Sequence, residues 1–193
     1  MRIGVFICHC GSNIAGTVDC PSVAATALTY PDVVFSTDTM YACSEPGQDA
    51  IIQAVKDKNL DGVVVASCTP RMHEQTFRRA VERAGLNRYM FEMANIREHV
   101  SWIGKTKDLN TGKAAELVRM AVEKLRRDKP LIPKRFETVK RVLVIGGGVA
   151  GIQAALDCAD GGQEVIMVER EQSIGGKMAK LDKTFPTVDC SSC

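Results

Sequence analysis

Between residues 2 and 128, short apolar β-branched runs alternate with stretches of helical period, four times over. The runs are Arg2-Ile-Gly-Val-Phe-Ile7, Val33 to Thr39, Gly62-Val-Val-Val-Ala66 and Tyr89 to Met93. Gly62 to Ala66 is continuously apolar, the pattern of a strand buried on both faces of a sheet. The helical stretches are Pro21 to Tyr30, Pro46 to Lys58, His73 to Ala84 and Thr111 to Arg127. The last places Ala114, Leu117, Val118, Ala121, Val122 and Leu125 on one face. An order β-α-β-α-β-α-β-α predicts an α/β unit, a doubly wound and mostly parallel sheet with helices on both faces.

Lys129-Pro-Leu-Ile-Pro-Lys-Arg135 puts two prolines among charges and marks a boundary. The expected organisation is an α/β domain over 1–128, a linker over 129–139 and a second unit over 140–193. Lys124 to Arg135 carries six basic residues and one acid. A helix carboxyl end running into a solvated linker accounts for this; a docking patch for an acidic partner is the competing reading. The whole chain of 193 residues has a net charge of +2, which gives no global attraction to nucleic acid or to a membrane. No apolar run reaches the length of a membrane span. The first one is too short for a signal-peptide core, so a cytoplasmic location is expected.

The second unit opens with a strand, Arg141-Val-Leu-Val-Ile145, then Gly146-Gly147-Gly148-Val149-Ala150-Gly151, then a helix from Ile152 to Ala159. This is G-x-G-x-x-G in its required strand-before, helix-after context. Gly146 permits the tight turn, Gly148 lets the backbone approach a pyrophosphate, and Gly151 lets helix and strand pack closely. The helix start, at Val149 and Ala150, offers N–H groups and a positive dipole end to phosphates. A second strand, Glu164-Val-Ile-Met-Val168, ends in Glu169, 18 residues after Gly151, where an acid is placed to bond ribose hydroxyls. Glu169 disfavours a 2′-phosphate. The following Arg170-Glu-Gln-Ser-Ile-Gly-Gly176-Lys177 resembles the diglycine loop of two-dinucleotide-binding flavoproteins, which favours FAD over NAD. Candidate FAD-binding residues are thus Gly146, Gly148, Val149, Ala150, Gly151, Glu169, Arg170, Gly176 and Lys177. A complete FAD domain needs well over 100 further residues, so only the Rossmann-like opening is expected here.

Eight cysteines in a chain without an export signal point to metal or redox chemistry rather than disulfides. Cys8 and Cys10 follow the first strand, Cys43 the second and Cys68 the third. In a parallel sheet these carboxyl ends share one edge, so the four thiols are expected to converge as a metal site. Zinc sites usually come as C-x2–4-C pairs, and the spacing also differs from the common ferredoxin run. A [4Fe–4S] cluster is preferred and zinc stays open. His9 and His73 are expected near the site as hydrogen-bonding or surface residues. Cys158 is read as structural and Cys20 as incidental. Cys190-Ser-Ser-Cys193 is either a redox pair or a source of further ligands.

Several segments together resemble the A-type subunit of heterodisulfide reductase, at its amino-terminal end. They are Cys8-His-Cys-Gly-Ser-Asn-Ile14, Tyr41-Ala-Cys-Ser44 with Pro46-Gly-Gln48, and Ser67-Cys-Thr-Pro-Arg-Met-His-Glu74. Glu92-Met-Ala-Asn-Ile-Arg-Glu98, the glycine loop and Phe185-Pro-Thr-Val-Asp-Cys-Ser-Ser-Cys193 complete them. The resemblance implies an iron–sulfur domain followed by a thioredoxin-reductase-like FAD domain. It implies an electron-transfer oxidoreductase of anaerobes, with flavin-based bifurcation in the complete protein. It also implies partner subunits of B and C type, a hydrogenase- or formate-dehydrogenase-linked subunit, ferredoxin, and a homodimer of the complete protein. Cys10, Cys43 and Cys68 match the family's cysteines and Cys8 its C-x-C-G turn. Cys190 and Cys193 match as well, so either can replace Cys8 as a ligand. The length falls short of the family's, so the chain is expected to be a fragment, inactive alone. Two alternatives stay open: a zinc-stabilised docking module, and a thiol oxidoreductase using Cys190 and Cys193.

Overall fold

A computed structural model describes residues 1–104 and 106–190. The chain divides into two units, Met1–Pro133 and Lys134–Cys193.

In the first unit the strands are β1 (Ile3–Cys8), β2 (Val33–Thr39), β3 (Gly62–Ser67) and β4 (Phe91–Asn95). All pairs are parallel, in the order β2-β1-β3-β4. The two central strands are the continuously apolar ones, and every residue of β1 and β3 is buried. Helices α1 (Ser12–Ala15), α2 (Cys20–Ala27), α3 (Glu45–Asp57), α4 (Pro70–Arg83) and α5 (Lys107–Leu125) complete the unit. One core layer joins Ile3, Val5, Ile7 and Val64 to α2 and α5. The other joins Phe6, Val63 and Val65 to Ile51 of α3 and Phe77 of α4. The sheet is therefore covered on both faces, which is why its central strands carry no polar alternation.

The expected elements of this unit are all present, β2 with the expected ends and the others with shifted ones. Helix α4 starts at Pro70 rather than His73, because Thr69 accepts the Arg71 N–H at 3.4 Å and proline fits the first turn. Helix α5 starts at Lys107 rather than Thr111. Strand β4 runs two residues later than Tyr89–Met93, since Asn87 turns the chain by accepting the Tyr89 N–H at 3.0 Å. The short α1 and a π-helical turn at Arg97–Ser101 were not expected.

The chain leaves β1 for β2 on one side, then passes back over β1 to β3 on the other. The switch of direction thus lies between β1 and β3. Paired residues Cys8 with Thr39, Ile7 with Ala66, and Ser67 with Asn95 put all four carboxyl ends on one edge.

In the second unit β5 (Arg141–Ile145) and β6 (Glu164–Val168) pair in parallel around α6 (Val149–Asp160). This is one β-α-β repeat, the Rossmann-like opening expected of residues 140 onward. A turn of 3-10 helix follows at Met178–Lys180.

Candidate functional site: four thiols at a sheet edge and a glycine loop

Cys8 is the last residue of β1. Two residues on, Cys10 has φ +49° and Gly11 φ +59°, so consecutive left-handed residues turn the chain sharply back over the edge. Cys43 lies in the turn before α3, where its carbonyl accepts Gln48 Nε2 at 2.9 Å. Cys68 follows β3 and leads into α4. Cys8, Cys10, Cys43 and Cys68 line one cavity, with Ser67, Tyr41, His73, Phe77 and Arg97. The cavity straddles the switch between β1 and β3, where open α/β sheets bind ligands. Its volume is about 30 Å³. Tyr41, 51% exposed, forms the wall on the solvent side. Among the described residues no three His, Cys, Asp or Glu side chains close on a single ion position.

Cys8 and Cys68 are buried, Cys10 and Cys43 half-buried, and donors reach the sulfurs of Cys8 and Cys10. Cys8 Sγ accepts the N–H of Cys10 at 3.3 Å and that of Ala42 at 3.4 Å. Burial pushes the Cys8 thiol up, and these two N–H groups oppose it. Burial likewise raises Cys68, against the pull of the Arg97 charge. Arg97 Nη1 donates to Cys10 Sγ at 3.2 Å. Arg97 sits in the unexpected π-helical turn, directly past β4, and sequence reasoning gives it no role. The available signal is a basic residue two positions beyond a strand's carboxyl end.

His9 bonds Asp38 at 2.6 Å, and His73 lines the cavity. Cys20 is not incidental to the core. It is 1% exposed, opens α2 behind Cys8, and burial pushes its thiol up to about 12. Cys190 is exposed and belongs to the second unit, where it bridges to Lys183. Cys193 lies outside the described residues. Cys158 is half-buried within α6.

The glycine loop has the geometry its spacing calls for. Gly146 turns at φ +101°, a conformation that needs glycine. A Cβ on Gly151 would land on the Gly146 carbonyl oxygen and 3.0 Å from its carbon, so α6 packs on β5 only without a side chain there. A Cβ on Gly148 would meet nothing within 4 Å, leaving open space beside the loop. Gly148 caps α6 without any side-chain bond, so the N–H groups of Val149, Ala150 and Gly151 are left for a ligand. The diglycine loop lies against this start: Gly175 N–H donates to Gly147 O at 2.6 Å, and Gly148 bridges to Gly175. Gly176, at φ +58°, faces Gly148 so closely that its Cβ would come within 3.1 Å of the Gly148 Cα.

Glu169 Oε2 accepts the Gly147 N–H at 2.7 Å, and Oε1 accepts the Glu171 N–H at 2.9 Å. The bonds from Glu171 and Gly147 hold its carboxyl below the usual range. Each oxygen keeps a further lone pair for a sugar hydroxyl. The carboxylate thus braces the loop and keeps acceptor capacity beside it. Arg170 reaches toward Glu171 and is 92% exposed, and Lys177 is exposed at the margin.

Residues 141–183 match the family of FAD-dependent oxidoreductases. The whole chain is 58% identical to an iron-sulfur A-type subunit, the one numbered 2, of the CoB–CoM heterodisulfide reductase of Methanopyrus kandleri, covering 29% of that protein. It is 54% identical to the A-type subunit of the H2:CoB-CoM heterodisulfide,ferredoxin reductase of Methanothermobacter marburgensis, again covering 29%. It is 51% identical to the A-type subunit of the ferredoxin/F420H2-dependent CoB-CoM heterodisulfide reductase of Methanosarcina acetivorans, covering 24%. The chain therefore spans under a third of the length of these curated relatives, and it belongs, as an amino-terminal portion, to the family of heterodisulfide reductase A-type subunits.

Proposed function

We propose that the chain is the electron-transfer start of a heterodisulfide reductase-type oxidoreductase, holding a [4Fe–4S] cluster in its first unit and the ADP part of FAD in its second. The observation that carries this is the meeting of Cys8, Cys10, Cys43 and Cys68 around one cavity at the sheet's switch point. Each iron of a cluster takes its own thiolate, so ligands stand around a body rather than meeting at a point. Four thiols on the walls of a cavity suit that donor set. The family resemblance keeps Cys190 or Cys193 as an alternative ligand in place of Cys8.

A bound cluster would supply one-electron transfer. The chain's own residues do the rest. Cys8 and Cys68, whose thiols burial holds protonated, must give up protons as metal binds. The N–H groups of Cys10 and Ala42 offset the charge left on Cys8. Phe77, 1% exposed, lines the cavity and gives it an apolar wall. In the second unit, Gly148 to Gly151 would hold the pyrophosphate and Glu169 the ribose of FAD. Arg170 and Lys177 stand at the margin of that site.

The relatives are named as one subunit each of larger reductases, and two of those names include ferredoxin. This supports partner subunits and ferredoxin; that the partner subunits are of B and C type, with a hydrogenase- or formate-dehydrogenase-linked subunit among them, rests on the family resemblance. A cytoplasmic setting, flavin-based bifurcation and a homodimer of the complete protein belong to the same proposal and rest on the family resemblance. No helix among the described residues is long and apolar enough to cross a membrane. Anaerobic purification with iron and acid-labile sulfide analysis, followed by EPR of the dithionite-reduced chain, tests the reading. Iron and sulfide in equal amounts with a reduced-cluster signal is the expected result. A colourless protein holding zinc refutes it and favours a docking module.

A further inference from the structure

The least expected feature of the thiol site is its cation. The Arg97 guanidinium is gripped on three sides. Nε and Nη2 donate to Glu98 Oε1 at 3.2 and 2.9 Å. Nη2 also reaches Met72 Sδ at 3.5 Å. The guanidinium Cζ lies 4.7 Å from the ring centre of Trp102. These contacts fix the fork so that the remaining nitrogen, Nη1, points at Cys10 Sγ, 3.2 Å away. The side chain is only 13% exposed, so solvent screens its charge weakly.

Glu98 does not cancel this charge at the sulfur. Its bonded oxygen takes the Nε and Nη2 edge, while Cys10 takes Nη1. A sulfur at Cys10 therefore meets a hydrogen-bond donor and the nearer, positive partner of the pair.

We infer that Arg97 is a positioning residue that sets the reduction potential of a cluster held through Cys10, raising it by stabilising the reduced form. The inference rests on the cluster reading above and deepens it. A cluster that takes up one electron places part of that added charge on its thiolate sulfurs. A fixed cation 3.2 Å from one of them favours the reduced state more than the oxidised state. Lysine keeps the charge but has no planar fork to be held by Glu98 and Trp102 at once. Glutamine keeps a donor and loses the charge.

The test is a dithionite-mediated potentiometric titration, followed by EPR, on the anaerobically purified full chain. Wild type, Arg97→Gln and Arg97→Lys are compared, each with its iron and sulfide content. The expected result is a roughly tenfold lower reduced-to-oxidised ratio at a fixed potential for Arg97→Gln. For a one-electron couple that is a midpoint about 59 mV more negative. Arg97→Lys is expected to recover part of the shift. An iron-loaded Arg97→Gln with the wild-type midpoint overturns the inference and leaves the cluster reading standing. If Arg97→Gln fails to hold iron, a loaded Arg97→Met, which also removes the charge, decides, and an unmoved midpoint there overturns the inference. Loss of iron from both of these variants makes Arg97 a structural brace and overturns it too. A wild-type chain without iron and sulfide overturns the cluster reading itself, and this inference with it.

Discussion

Replacing Gly47 by alanine tests whether α3 and the Cys43 turn are in rigid contact. Gly47 is buried in the first turn of α3, and its φ is not left-handed, so alanine suits its backbone. The obstacle is space. A Cβ there would stand 2.7 Å from the Ala42 carbonyl oxygen, 2.8 Å from the Ala42 carbon, and closer still to the Tyr41 carbonyl. All three obstacles are main chain, so no side chain can swing aside. The Tyr41–Cys43 backbone would have to retreat by about an ångström or more to reach ordinary contact. Overpacking of this kind costs about 1–3 kcal/mol, and three main-chain obstacles put the cost in the upper part of that range. The gain in helix propensity returns about 1 kcal/mol. The net is a destabilisation of about 1–2 kcal/mol, or a fall in Tm of roughly 3–8 °C for a unit of this size. Gly112 is the internal control. It lies in α5, where a Cβ meets nothing within 4 Å. Gly112→Ala should raise Tm by about 2–4 °C through propensity alone. Differential scanning calorimetry of both variants reads the two signs. A Gly47→Ala protein that melts at or above wild type would refute the argument. It would show that the turn bearing Cys43 is not held against α3.

Three other outcomes follow from the same structure. Gly151→Ala should weaken FAD binding in isothermal titration calorimetry by about tenfold or more, since overpacking worth about 1–3 kcal/mol falls on the loop that meets the phosphates; an unchanged affinity contradicts the close approach of Gly151 to Gly146. Native alkylation with iodoacetamide, read by mass spectrometry, should label exposed Cys190 and spare Cys20, whose thiol at about 12 is ionised to about one part in 10⁵ at neutral pH. Tyr30 donates to the Ala115 carbonyl at 2.9 Å, and Tyr30→Phe should cost about 1 kcal/mol in urea unfolding. Burial raises the Tyr30 hydroxyl above its ordinary 10, so its contribution is full below pH 10 and lost as the pH climbs through the raised value. A wild-type-minus-variant difference that grows with alkaline pH would reverse that sign.

Much of this architecture is legible in local chemistry. The runs at Ile3 and Gly62 are apolar without alternation because both faces of β1 and β3 are covered, so their central place is written in composition. The shared edge for Cys8, Cys10, Cys43 and Cys68 follows from strand direction alone. The glycine loop is legible because Gly146 answers a backbone demand and Gly151 a packing one, while Gly148 keeps the space beside the loop open. Arg97 is not legible as part of the site, since its closeness to Cys10 depends on β4 ending at the same edge as β1, 87 residues apart in sequence. A π-helical turn has no composition signature to announce it. Cys20 is easily underrated because a helix entry fixes a backbone position, while the packing of α2 on β1 decides whether the side chain meets water.

The two candidate sites occupy the same topological place, just past the carboxyl end of a unit's first strand, yet they offer opposite chemistry. The reason lies in how the adjoining helices begin. Helices α2, α3 and α4 each carry proline in the first turn, and Asp19, Ser44 and Thr69 accept a main-chain N–H at their starts. Proline deletes one donor and the cap consumes another, so little amide is left to attract an anion. That edge instead presents sulfur, and the donors it does offer are single N–H groups aimed at Cys8 and the charge of Arg97. Helix α6 begins the other way. It has no proline, no capping side chain and no acid in its first turn. Its amides and dipole end remain open beside Gly148. A thiolate-ligated cluster brings its own negative charge to a site where single donors and one cation already face the sulfurs, whereas a pyrophosphate needs unspent donors in a row. A proline and a capping side chain at the start of α6, as in α2, α3 and α4, would remove the amides a pyrophosphate needs before any ligand residue was touched.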